Sequence, residues 1–141
     1  MLSLKRLILL ILSLVGLAAA IISILDTSGG SSICDINSYI SCTRVALSSY
    51  SRFMGISLSM WAAAYFILTT TLSMIYIAGR SSLALKILWG LSISTLPIIA
   101  ILIYIETMII KSLCIYCTAM HVSIAASAYI STAEIMKIRS P

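Results

Sequence analysis

Residues 7–25 read LILLILSLVGLAAAIISIL, a run without a single charge, with Lys5 and Arg6 before it and Asp26 after it. A helix needs about 20 apolar residues to cross a bilayer, and this run supplies them. A cleaved secretory signal is the rival reading, because Ala18-Ala19-Ala20 resembles a cleavage site. The apolar part of such a signal is only about 7–15 residues long, so length decides for a transmembrane helix.

The rest of the chain follows suit. It has 141 residues, 61% of them hydrophobic and 9% charged, with a mean hydropathy of +1.15. A soluble domain carries about 25% charged residues. So few charges do not coat a soluble surface, which makes membrane lipid the solvent, and the length suits one domain over residues 1–141. The net charge of +5 raises nucleic acid as a partner. The basic residues stand singly at the ends of apolar runs, so they read as topology signals and nucleic acid is excluded.

Three further apolar runs, over 55–78, 83–110 and 114–136, predict three more spans. The expected fold is therefore all-α: an integral membrane, up-down four-helix bundle. The run over 83–110 is long for a bilayer and implies tilt, and Pro97 at its middle predicts a kink. Gly79-Arg80-Ser81-Ser82 and Lys111-Ser112-Leu113 read as tight connections. Residues 26–54 form the one long polar segment, opening on the flexible stretch Thr27-Ser28-Gly29-Gly30-Ser31-Ser32. Within it, 38–54 reads as a short amphipathic helix lying at the membrane surface.

Orientation follows from the cations. With four spans, both termini and the Gly79 turn share a side that holds Lys5, Arg6, Arg80, Lys86, Lys137 and Arg139, against Arg44, Arg52 and Lys111 on the other. The excess predicts cytoplasmic termini in a multi-pass protein of the plasma membrane. All four cysteines then fall at the outer, oxidising face, where disulfides persist.

Those cysteines carry the chemistry. Cys34 and Cys42 lie in the polar loop, and Cys114-Ile115-Tyr116-Cys117 opens the last helix. Ser112 is the expected N-cap, which puts Cys114 in the first turn, where the helix dipole, free N–H groups and nearby Lys111 favour a thiolate. Cys117 and His121 lie successively deeper on the same face. A mobile loop pair that meets a soluble thiol partner, beside a rigid pair that reaches into the bilayer, suggests a thiol–disulfide relay to a lipid-soluble two-electron acceptor, a quinone. Two static disulfides are the competing reading, but a lipid-embedded bundle needs them less than a small secreted domain does. Zinc is disfavoured because seven residues between Cys34 and Cys42 make a poor half-site. Haem attachment is excluded because Thr118 stands where that motif needs His.

Cys34-Asp35-Ile36, Ser41-Cys42-Thr43-Arg44-Val45, Ser48-Ser49, Gly55-Ile56 and the late Cys114-x-x-Cys117 together resemble the vitamin K epoxide reductase family over nearly the whole chain. The DsbB family does similar chemistry, but its quinone-side C-x-x-C comes in the first outer loop. The resemblance implies that Cys34 exchanges with a separate thioredoxin-like, DsbA-like protein. Cys42 then carries electrons inward through a transient disulfide with Cys114, and Cys117 is the sulfur next to the quinone. Microbial members reduce ubiquinone or menaquinone, and animal members reduce vitamin K and its epoxide. The first alternative function is thus a quinone-epoxide reductase, and the second a non-catalytic scaffold with structural disulfides.

The chain departs from the family at several positions. His121 stands where animal members carry Tyr; both hydrogen-bond a quinone oxygen. The Asn that animal members use in the second helix has its counterpart near Leu58 and Ser59, and Ser57 replaces a Pro frequent in bacterial members. Cys117, His121, Trp61 and Ser59 are the expected quinone contacts. Glu106 near the outer end of the third span reads as a side chain snorkelling to water, with a proton relay as the rival reading. Asp35 either tunes Cys34 or solvates the loop, and Trp89 and Tyr76 read as belt residues of the inner interface.

Overall fold

The structure, a computed structural model, describes residues 4–29 and 32–140. Gly30 and Ser31 of the expected flexible stretch lie outside the described residues. Four long helices carry most of the chain: α1 (Leu4–Thr27), α3 (Leu58–Gly79), α4 (Ser82–Tyr104) and α5 (Ile115–Arg139). Between α1 and α3 come a short helix α2 (Cys42–Leu47), a 3-10 turn (Ser49–Ser51), and strands β1 (Arg52–Phe53) and β2 (Ile56–Ser57). A π-helical turn, Ile105–Ile110, extends α4. Among the described residues, three helical segments are long and apolar enough to cross a membrane: Leu4–Thr27, Leu58–Gly79 and Ser82–Ile110.

Sequence chemistry explains the boundaries. Ser57 caps α3 by accepting the Met60 N–H at 3.3 Å, and Ser81 caps α4 by accepting that of Ala84 at 3.3 Å. The expected second span begins three residues late because Met54 (φ 54°) and Gly55 (φ 81°) form the two-residue turn of the β1–β2 hairpin. Positive φ at both central positions is the geometry that matches strand twist. The same hairpin and the 3-10 turn replace most of the surface helix expected over 38–54, leaving only Cys42–Leu47 helical. The helix over 82–104 runs on through Pro97 without a break.

In lipid, helix contact brings no hydrophobic gain, so close packing and polar pairs hold the bundle. α1 packs on α3 and α5, and α4 on the same two. A Cβ on Gly16 would collide with the Phe66 ring, so glycine there permits the approach of α1 to α3. Hydroxyls pair across helices: Ser23 with Ser59 at 3.0 Å and Tyr65 with Ser92 at 3.4 Å. The buried face of α5 is partly polar, with Ser123, Ser127, Ser131 and Glu134 turned inward alongside Met120, Ile124 and Ala128. That face leaves α5 less apolar than the three candidate spans, although it is of spanning length.

Away from the cysteines, Glu134 pairs with Lys5 at 3.3 Å and accepts from the Tyr76 hydroxyl at 3.1 Å. The Arg6 guanidinium lies 4.7 Å from the centre of the Tyr76 ring. Tyr76 is therefore not an exposed belt residue. It is buried at the joint of α1, α3 and α5. Trp89 is partly exposed and donates its indole N–H to Thr132 at 2.9 Å.

Candidate functional site

A parallel bridge between Ile40 and Leu113 assembles the cysteines. The Leu113 N–H donates to the Tyr39 carbonyl at 2.7 Å, and the Ser41 N–H donates to the Leu113 carbonyl at 3.1 Å. Cys42 follows Ser41, and Cys114 follows Leu113, so the bridge sets the two side by side. Cys34 joins them, and the three sulfurs lie within 4.8 Å of one another. Cys34 and Cys42 form a disulfide with Cα atoms 5.5 Å apart, while Cys114 and Cys117 are free thiols. In this state the paired sulfurs are not thiolate ligands for a metal.

The cap that carries the disulfide is held at many points, unlike the mobile loop expected. Asp35 accepts from the Ser41 hydroxyl at 2.7 Å, the Thr43 N–H at 3.1 Å and the Ser32 N–H at 3.2 Å. It thereby ties down both sides of the disulfide. Asn37 accepts the N–H groups of Tyr39 and Ile40, each at 2.9 Å, shaping the approach to the bridge. Arg44 donates to the Ser38 carbonyl at 3.0 Å. As a result Cys34 is 4% exposed and Cys42 only 1%.

The nearby Thr43 hydroxyl first, and the hydrogen bond from the Ser41 hydroxyl to its ionised form next, hold Asp35 well below the usual carboxylate range. A depressed carboxyl contributes its stabilisation fully above the unfolded value, about 3.9, and loses it only as pH falls through the lower folded value. The cap therefore shields the disulfide from a phosphine reductant equally well from neutral pH down to about pH 4. Asp35→Ala is expected to be reduced several-fold faster, as read by alkylation of the released thiols. Protection that already fades between about pH 7 and pH 5 would remove Asp35 from this role.

Cys114, not Ser112, is the N-cap of α5. Its sulfur accepts the Cys117 N–H at 3.3 Å, a contact suited to a negatively charged sulfur at a helix N-terminus. Ser112 is buried instead beneath the bridge. Two residues escaped the sequence reading. Asp26, at the end of α1, accepts from the Tyr116 hydroxyl at 3.0 Å, the Ile33 N–H at 3.2 Å and the Ser32 hydroxyl. Tyr116 lies inside the C-x-x-C, so this carboxylate ties α1, the cap and the cysteine motif together. A lone acid ending a long apolar run was the available signal.

Below the sulfurs lies a cavity of about 670 Å³. Cys114, Cys117, His121, Ser59, Trp61 and Glu106 line it, along with aliphatic side chains of α3, α4 and α5. The volume falls within the ordinary range for small-molecule pockets, about 300–1,000 Å³. Two of the expected contacts are engaged: the Trp61 indole donates to the Phe53 carbonyl at 3.3 Å, and the Ser59 hydroxyl pairs with Ser23. Among the described residues, no side chain hydrogen-bonds the His121 imidazole. Glu106 does not snorkel to water: it is 6% exposed.

Chemically, a free thiol beside a disulfide is the arrangement that exchange needs, with a second free thiol one turn further along the helix and a largely apolar chamber beneath. No curated protein sequence matches the chain significantly. The sequence model of the vitamin K epoxide reductase family matches residues 7–132, a span that includes all four cysteines and every residue lining the cavity. With the match running over most of its length, this helical, apolar chain with its adjoining disulfide and thiols belongs to the vitamin K epoxide reductase family of oxidoreductases.

Proposed function

We propose that this protein oxidises the dithiol of a DsbA-like, thioredoxin-like partner and passes two electrons to a membrane quinone of ubiquinone or menaquinone type. α5 crosses the bilayer as a fourth span, with both termini cytoplasmic and the cap outside. The positive-inside count supports this orientation. The observation that carries the reading is the cluster of three sulfurs within 4.8 Å, with Cys117 next in line and facing the cavity.

The chemistry balances. The partner's two thiols reduce the Cys34–Cys42 disulfide and become a disulfide themselves. The two loop thiols then reduce a Cys114–Cys117 disulfide. Finally the two inner thiols give two electrons and two protons to the quinone, forming quinol and restoring their own bond. Cys42 and Cys114 meet in the inward step because the bridge sets them together. A state with the loop pair joined and the inner pair free, as in the structure, is one poised to reduce a quinone. Cavity residues hold and orient a flat apolar ring, and the His121 imidazole donates an N–H to one ring oxygen.

Purified full-length protein, supplied with a small dithiol and a water-soluble quinone, is expected to form one quinol per dithiol consumed. Folded protein that forms no quinol with any of several quinones would leave a scaffold with static disulfides as the better account.

A further inference from the structure

Glu106 is a carboxylate buried in an otherwise uncharged helical segment, a costly placement. It sits in the π-helical turn, where its carbonyl accepts the N–H groups of Lys111 and Ser112, the latter at 3.0 Å. Such turns are rare and concentrate at functional sites. Among the described residues no cation pairs with Glu106. Its side chain lines the cavity with Cys114 and Cys117. The role of the inner thiols demands a proton acceptor, because two S–H bonds break for each S–S bond formed.

We infer that Glu106 takes the protons of the inner thiols and hands them to the reduced quinone within the cavity; this rests on the function proposed above. As the Cys114–Cys117 bond forms, two electrons pass to the quinone. The two thiol protons leave through the Glu106 carboxylate one at a time and end on the two quinol oxygens. Glu106 returns to the carboxylate form, so the sum is two thiols and one quinone giving one disulfide and one quinol.

Glu106→Gln separates this role from a structural one. Glutamine keeps the size and polarity of the side chain, but it takes no proton. In the dithiol–quinone assay, E106Q is expected to lose roughly a hundredfold in kcat, the ordinary scale of a lost general base, with the quinone KM unchanged. E106D should recover part of that loss. Wild-type kcat in E106Q would overturn the proposal while leaving quinone reduction intact; wild-type protein that reduces no quinone would overturn both. Should E106Q not fold, wild-type protein treated with an apolar carbodiimide gives the same decision. Turnover lost in step with modification of Glu106, followed by peptide mass, supports the role, and full turnover with Glu106 modified refutes it.

Discussion

Cys117→Ala protein is expected to form no measurable quinol from dithiol and quinone, a loss of several orders of magnitude, as when a nucleophile acting within a unit is removed. The argument is geometric. Cys114 is 2% exposed, sits against the Cys34–Cys42 disulfide and borders the cavity, and Cys117 lines the same cavity from one turn further along. Without Cys117, Cys114 has no neighbour on its own helix with which to close a disulfide, so the inner pair does not deliver two electrons together. Cys114 still reaches the loop sulfurs, so the variant should accumulate a disulfide between Cys42 and Cys114. Non-reducing peptide mapping detects that bond. Undiminished turnover in Cys117→Ala would move the electron exit to Cys114 and break the proposed order. A variant that neither turns over nor traps the bond, while folded, would mean that the loop and helix cysteines do not exchange.

What could be read from sequence divides along physical lines. The run over 7–25 became α1 because spanning depends on length and apolarity, both local quantities. The end of α3 near Gly79 and the start of α4 at Ser82 were likewise visible as a break in hydropathy. The late start of α3 was not, because the Met54-Gly55 turn depends on a hairpin pairing that hydropathy does not register. The π-helical turn was invisible for a related reason: one extra residue in a turn leaves an apolar run looking unbroken.

The candidate site shows the same division. The C-x-x-C at the head of a helix was plain, yet Cys114 proved to be the cap itself, because the chain enters α5 from the bridge and leaves Ser112 buried. Pairing Ile40 with Leu113, far apart in sequence, is a tertiary event with no local signature. It is that pairing which brings Cys34 and Cys42 to Cys114. Tyr76 and Glu106 were misread together: each reads as an interfacial side chain by position, and each is buried because a neighbouring helix supplies a partner or a chamber.

The second large effect separates the two ends of the relay. Cys34→Ala protein is expected to lose oxidation of a thioredoxin-like partner altogether while keeping reduction of quinone by a small dithiol. Cys34 is the more exposed of the loop sulfurs, although at 4% against 1% both are sheltered. A folded partner therefore has to displace the cap segment around Asp35 to reach it, and Cys34 is the sulfur it meets first. A small dithiol is under no such constraint and can reduce the Cys114–Cys117 disulfide directly through the cavity. Cys42, freed by loss of its mate, still lies within 4.8 Å of Cys114 and gives the mixed disulfide a second route of capture. The measurement is paired: thiol loss in a thioredoxin-like substrate and quinol formation from dithiol, on the same preparation. If Cys34→Ala silences the dithiol reaction as fully as Cys117→Ala does, the four cysteines act as one unit and an ordered path from loop to helix is wrong. If the protein substrate is still oxidised, Cys42 rather than Cys34 is the entry sulfur, and the cap opens from its other side.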